Sequence, residues 1–142
     1  DQVDILKNEM INNTHSKHFI VANLANGDLI GHKGNPNLSV LAAKDVDKAV
    51  FELVQTAYAN DYAVVITADH GNIEDASTTK HTANPVPCFV VLPKHEREIH
   101  EGLVKLDDKI VAALRDVAPT ILDIAGLNKS SEMTGESLLI EG

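Results

Sequence analysis

The sequence predicts an α/β domain in which a layered sheet carries flanking helices. Short apolar, β-branched runs at 19–22, 62–67 and 86–92 read as buried strands, and stretches of helical apolar spacing alternate with them. That strand–helix–strand order favours a layered architecture with at least some parallel pairing. The 142 residues, 44% of them hydrophobic, suffice for one buried core and argue against disorder.

Each element follows from its own residues. Val3, Ile5, Leu6, Met10 and Ile11 suit a first helix ending near Asn12-Asn13. Phe19–Ala22 is expected as a short buried strand, followed by a loop rich in Gly and Asn through Asn37. A second helix is expected from about Ser39, burying Val40, Leu41, Val46, Ala49, Val50, Leu53, Val54 and Ala57. Tyr62–Thr67 is the next strand, and Asp69 to Pro85 the loop behind it. Val86–Leu92 is a third strand, starting at an edge or outside the ladder because Pro85 and Pro87 have no N–H to donate. The charged segment from Pro93 to Leu106 fits no element. Asp116 is placed to cap a last helix through Pro119, Ile121, Leu122 and Ile124, with Gly126 as its stop. The tail is polar except for Met133 and Leu138 to Ile140.

Composition removes several function classes. The net charge of -9, from 21 acidic and 12 basic residues, leaves no Lys/Arg cluster for nucleic acid. No apolar run reaches the length of a membrane span, and the first residues carry no signal-peptide pattern. The single Cys88 cannot form an internal disulfide, which fits a reducing, cytoplasmic compartment; its apolar surroundings suit packing. A chain that opens with Asp1 is expected to be part of a longer protein.

Three loops carry candidate chemistry. The apolar run Val64-Val65-Ile66-Thr67 ends at the adjacent pair Asp69-His70, with Gly71 directly behind. Neighbours on a strand face opposite ways, so this pair can converge on one point only where the strand breaks into a turn. Asp28 and His32 stand four apart and share a face if their loop enters a helical turn. His81 precedes the stiff stretch Asn84-Pro85-Val86-Pro87. Carboxylate oxygen with neutral imidazole suits Mn²⁺ or Zn²⁺, whereas one Cys excludes cysteine-rich zinc chemistry. His95 and His100 lie five apart and so miss the zinc-protease helix spacing; with His15 and His18 they read as exposed residues. There is no GxxxxGK phosphate loop and no GxSxG elbow.

At this point the chain resembles the cofactor-independent phosphoglycerate mutases of the alkaline phosphatase superfamily. The matching runs are 23–34 (NLANGDLIGHKG), 66–72 (ITADHGN), 81–87 (HTANPVP), 116–123 (DVAPTILD) and 132–138 (EMTGESL), in the family's order. Leu24 replaces a usual aromatic residue, and Lys33 stands where Thr is frequent.

The resemblance implies an alkaline-phosphatase-like fold, with residues 1–142 as the carboxy-terminal portion of the metal-binding domain. It implies two Mn²⁺ in the parent enzyme, other divalent ions being possible, and no 2,3-bisphosphoglycerate requirement. Asp28, His32 and His81 match the ligands of one ion, and Asp69 and His70 match two ligands of the other. The family's serine takes the phosphoryl group from one phosphoglycerate and returns it to the other hydroxyl, exchanging the 3- and 2-isomers. That serine, a further aspartate and the substrate-binding insert are expected upstream. None of Ser16, Ser39, Ser77, Ser130, Ser131 and Ser137 sits in a matching context, so no catalytic nucleophile is assigned and this chain alone is expected to be inactive. The alternatives are part of a related phosphatase, phosphodiesterase or phosphopentomutase, or a non-catalytic metal-binding remnant.

Overall fold

The computed structural model describes residues 1–14, 17–93 and 112–139. The expectations for His15, Ser16, His95, His100, Ile140 and the charged run after Pro93 lie outside them. Helix α1 spans Gln2–Asn12. It is opened by a capping box in which Asp1 accepts the Asp4 N–H and the Asp4 carboxylate reaches back to the Asp1 amine. A short α2, Asn26–Gly31, forms inside the Gly- and Asn-rich loop. Helix α3 covers Pro36–Ala59. It begins earlier than expected because Asn35 caps it, accepting the Asn37 and Leu38 N–H groups, with Pro36 at the first helical position.

Helices α1 and α2 both pack on α3, and Lys7 joins Glu52 across the first of these contacts at 3.3 Å. The face that α3 buries matches the expected one at Ala57 and, half-buried, at Val46, Val50 and Leu53, but differs in its first turns. Ser39, Ala42 and Ala57 are buried, while Val40 and Leu41 are more than half exposed. In those first turns the small Ser39 and Ala42 are buried, and the bulkier Val40 and Leu41 turn outward.

Strands β1 (Val64–Thr67) and β2 (Cys88–Val91) pair antiparallel, from Val64 opposite Val91 to Thr67 opposite Cys88. Pro85 and Pro87 fall outside the ladder, as expected. The expected parallel pairing is corrected: among the described residues this antiparallel pair is the whole sheet. The reason lies in Phe19–Ala22, which joins no ladder among the described residues, leaving Phe19 and Val21 exposed. Without it there is no crossover from one strand through α3 to the next. Cys88 is half-buried, and burial pushes its thiol pKa up.

A 3₁₀ turn at Leu114–Asp116 leads into α4, Val117–Ile124. Gly126, with φ +66°, ends it, and the Leu127 N–H bonds back to the Leu122 carbonyl. Asp116 stands at the helix entry but does not cap it. Its buried carboxylate instead accepts N–H bonds from Ala113 at 2.8 Å and Glu136 at 3.0 Å. These two bonds, aided by the Arg115 and Lys129 charges, hold its pKa below the usual range. Thr120, fully buried, donates to the Asp116 carbonyl at 2.7 Å and accepts the Leu138 N–H at 3.0 Å. The irregular tail is thus bound to α4 by side chains. Thr120→Val keeps the shape and strands the Leu138 N–H, so urea denaturation should register a loss of about 1–3 kcal/mol.

Candidate metal centre

Both ends of the β1–β2 connection and one turn of α2 converge on a single point. Helix α2 places Asp28 and His32 on one face, and His32 closes the helix. Their side chains meet with His32 Nε2 3.2 Å from Asp28 Oδ1. His81 arrives from the far side of the 68–87 connection, its Nε2 3.2 Å from Asp28 Oδ1 and 3.2 Å from His32 Nε2.

Ligands about 2.1 Å from one ion and roughly 90–110° apart stand about 3.0–3.4 Å from each other. The observed triangle has those edges. The tautomer fits as well. His32 Nδ1 lies 2.7 Å from the Thr79 carbonyl, which can only accept, so Nδ1 carries the proton and the Nε2 lone pair faces the triangle. A carboxylate and two imidazoles of this kind suit a divalent cation.

The strand breaks after Thr67, and the pair Asp69-His70 sits in the turn that follows. His70 stacks on His81 with ring centroids 3.5 Å apart, and its Nε2 lies 4.0 Å from Asp28 Oδ1. Asp69 sits at the rim, largely exposed, with a carboxylate oxygen 3.6 Å from His70 Nε2. The three loops therefore form one patch, but Asp69 and His70 stand beside the close triangle and outside it.

A second layer holds the patch, and sequence spacing gave no hint of it. Asn72 is buried, and its Nδ2 donates to Asp28 Oδ1 at 3.3 Å. Glu74 accepts the Asn72 N–H at 2.6 Å on one oxygen. Its other oxygen takes the Thr82 hydroxyl and, at 2.9 Å, the Asn84 amide. The Thr82 N–H closes the circuit on the Gly71 carbonyl at 2.7 Å. Gly71 is required here by space: a Cβ would overlap Thr82 Oγ1 and Glu74 Oε1. Asn, Glu and Thr are ordinary loop residues, and only their meeting across the connection reveals this arrangement.

The hydroxyl of Thr82, the amide of Asn84 and the backbone donors hold the Glu74 carboxyl down at about 2, from an ordinary 4.5. A depressed carboxylate stabilises the fold above its ordinary pKa, and that contribution is lost as pH falls through the folded value. The loop tie is therefore expected to be intact above pH 4.5 and to fail as pH approaches 2, measured by the carboxyl ¹³C shift of Glu74.

The comparisons with known proteins agree with a metal centre. The model of the metalloenzyme superfamily matches residues 1–129. A protein of Parabacteroides distasonis named 2,3-bisphosphoglycerate-independent phosphoglycerate mutase is 40% identical over 133 residues, covering 89% of this chain and 24% of its own length. A Picosynechococcus protein of the same name is 42% identical over 129 residues, covering 85% of this chain and 24% of its own. The chain thus spans about a quarter of the length of the curated relatives it matches. A phosphoglycerate mutase of Leishmania mexicana, solved at low cobalt concentration, superposes with a TM-score of 0.77. It covers 99% of this chain and 28% of that one, at 22% identity, so it shows the shared fold. The α/β class expected from the sequence therefore stands. Since the family model spans α1 through α4, this chain belongs to the metalloenzyme superfamily.

Proposed function

We propose that the chain is the carboxy-terminal part of the metal-binding domain of a cofactor-independent phosphoglycerate mutase, a cytoplasmic isomerase exchanging 3- and 2-phosphoglycerate. The observation that carries the reading is the Asp28–His32–His81 triangle, with His32 turned by the Thr79 carbonyl so that its lone pair faces inward. In this reading the triangle holds one Mn²⁺, and Asp69 with His70 supplies two ligands to a second, completed by residues upstream. When bound, such ions neutralise a transferring phosphoryl group and lower the pKa of the attacking hydroxyl. The parent's serine carries the phosphoryl group between the two hydroxyls of the glycerate.

This chain's own residues contribute placement. Asp28 supplies the single carboxylate of the triangle, His32 and His81 bring neutral donors, and His70 stacks on His81 and restricts its ring. The curated relatives carry the mutase name, which supports this substrate over other phosphate esters.

Titration of this chain with Mn²⁺ tests the reading. One ion per chain is expected at the triangle, with weak binding of a second and no turnover of phosphoglycerate. Two tightly bound ions, or measurable turnover, would overturn the division of the site. The coding sequence upstream of Asp1 separates the rival classes. A serine-bearing segment with a substrate-binding insert supports the mutase, and a reading frame starting here supports a binding remnant.

A further inference from the structure

We propose that Glu74 is a positioning residue for the metal triangle, tying the His81 loop to the Asp28–His32 turn without itself reaching the ion; this rests on the reading of the triangle as a metal site. His81 and Asp28 come from separate segments, and neither helix nor strand connects them directly. The connection between β1 and β2 leaves at Ala68 and returns at Pro87, with one isolated backbone bridge, Gly71 to Thr82, across its waist. Glu74 lies over that bridge. One carboxylate oxygen holds the Asn72 N–H on the outgoing limb, and the other holds Thr82 and Asn84 on the returning limb.

Each limb leads to a ligand. Thr82 directly follows His81, so fixing its hydroxyl fixes the backbone from which His81 projects. On the other limb, Asn72 carries the constraint into α2 through its amide on Asp28 Oδ1. That amide orientation is dictated by charge, because a carbonyl turned towards the Asp28 carboxylate would repel it. A single carboxylate thus spans both routes to the triangle. Outer partners of this kind set ligand orientation, and losing one typically costs about 10–100-fold in metal affinity.

The adjacent Asp75 provides a charge-matched control. Its carboxylate bonds to the Ser77 N–H at 2.9 Å and to the Ser77 hydroxyl at 2.6 Å, and it takes no part in the bridge.

The test compares the wild-type chain with Glu74→Ala, Glu74→Gln and Asp75→Asn. It uses Co²⁺ as the probe through its visible absorption, and hydrogen exchange of the Thr82 and Leu138 amides without metal. Glu74→Ala is expected to weaken Co²⁺ binding about 10–100-fold. It should also speed Thr82 exchange while leaving Leu138, remote in the tail, protected. Glu74→Gln keeps one accepting oxygen and should fall between, and Asp75→Asn should match the wild type in both readouts. Unchanged Co²⁺ affinity in Glu74→Ala overturns the proposal, as does an equal loss in Asp75→Asn or a parallel loss of Leu138 protection. A wild-type chain that shows no Co²⁺ band overturns the metal reading instead, and Thr82 exchange then still reports on the tie itself.

Discussion

Asp28→Ala is expected to abolish divalent metal binding while leaving the fold in place. Asp28 Oδ1 is the common point of the site, 3.2 Å from His32, 3.2 Å from His81 and 4.0 Å from His70. It is also the acceptor for Asn72. Without it the triangle keeps only two neutral imidazoles and loses its negative charge. The loss of affinity should exceed the roughly 10–100-fold typical of an outer partner. The side chain is 38% exposed, so truncation leaves no large cavity and the melting transition without metal should move little. Calorimetric titration with Mn²⁺ on wild type and variant measures the first effect, and a thermal melt in chelator measures the second. Retained tight binding in the variant would remove Asp28 from the site.

Gly31→Ala should act from outside the triangle. A Cβ at residue 31 would overlap Oδ1 and Cγ of Asn72, a side chain only 4% exposed. Asn72 Oδ1 has no hydrogen-bond partner among the described residues, so this end of the amide is held by shape alone. Overpacking of this kind costs about 1–3 kcal/mol. The amide must swing away from Asp28 or α2 must shift, and either movement disturbs the ligands. Denaturant unfolding should record the loss, and the double variant Gly31→Ala with Asn72→Ala should recover part of it, because the second change removes the obstruction. Additive losses would show that the two residues do not share the space.

Local signals made much of this molecule legible. The α1 boundary, the two strands and the stop at Gly126 all rest on short-range patterns, and the structure places them where those patterns indicate. What depended on partners was not legible. Phe19–Ala22 has strand composition, but a strand exists only when a neighbour completes its ladder. In the first turns of α3 the buried face follows from which helix lies on it, and the small Ser39 and Ala42 are buried ahead of Val40 and Leu41. Asp116 has the residue type and position of a helix cap, yet the tail offered its carboxylate a better-placed N–H at Glu136. Five ligand candidates were visible as residue types, and the family resemblance grouped Asp28, His32 and His81; the distances at which those three meet were visible only in space.

The reach of that triangle along the chain has an entropic meaning. His32 and His81 are 49 residues apart in sequence, yet their nitrogens lie 3.2 Å from each other. In the unfolded chain, bringing two such distant points together has a cost that grows only slowly with the length of the loop closed. An ion held by both would act as a removable staple closing that 49-residue span, linking α2 to the β1–β2 connection. Metal availability would then govern how readily this part of the protein opens, quite apart from any chemistry done at its surface.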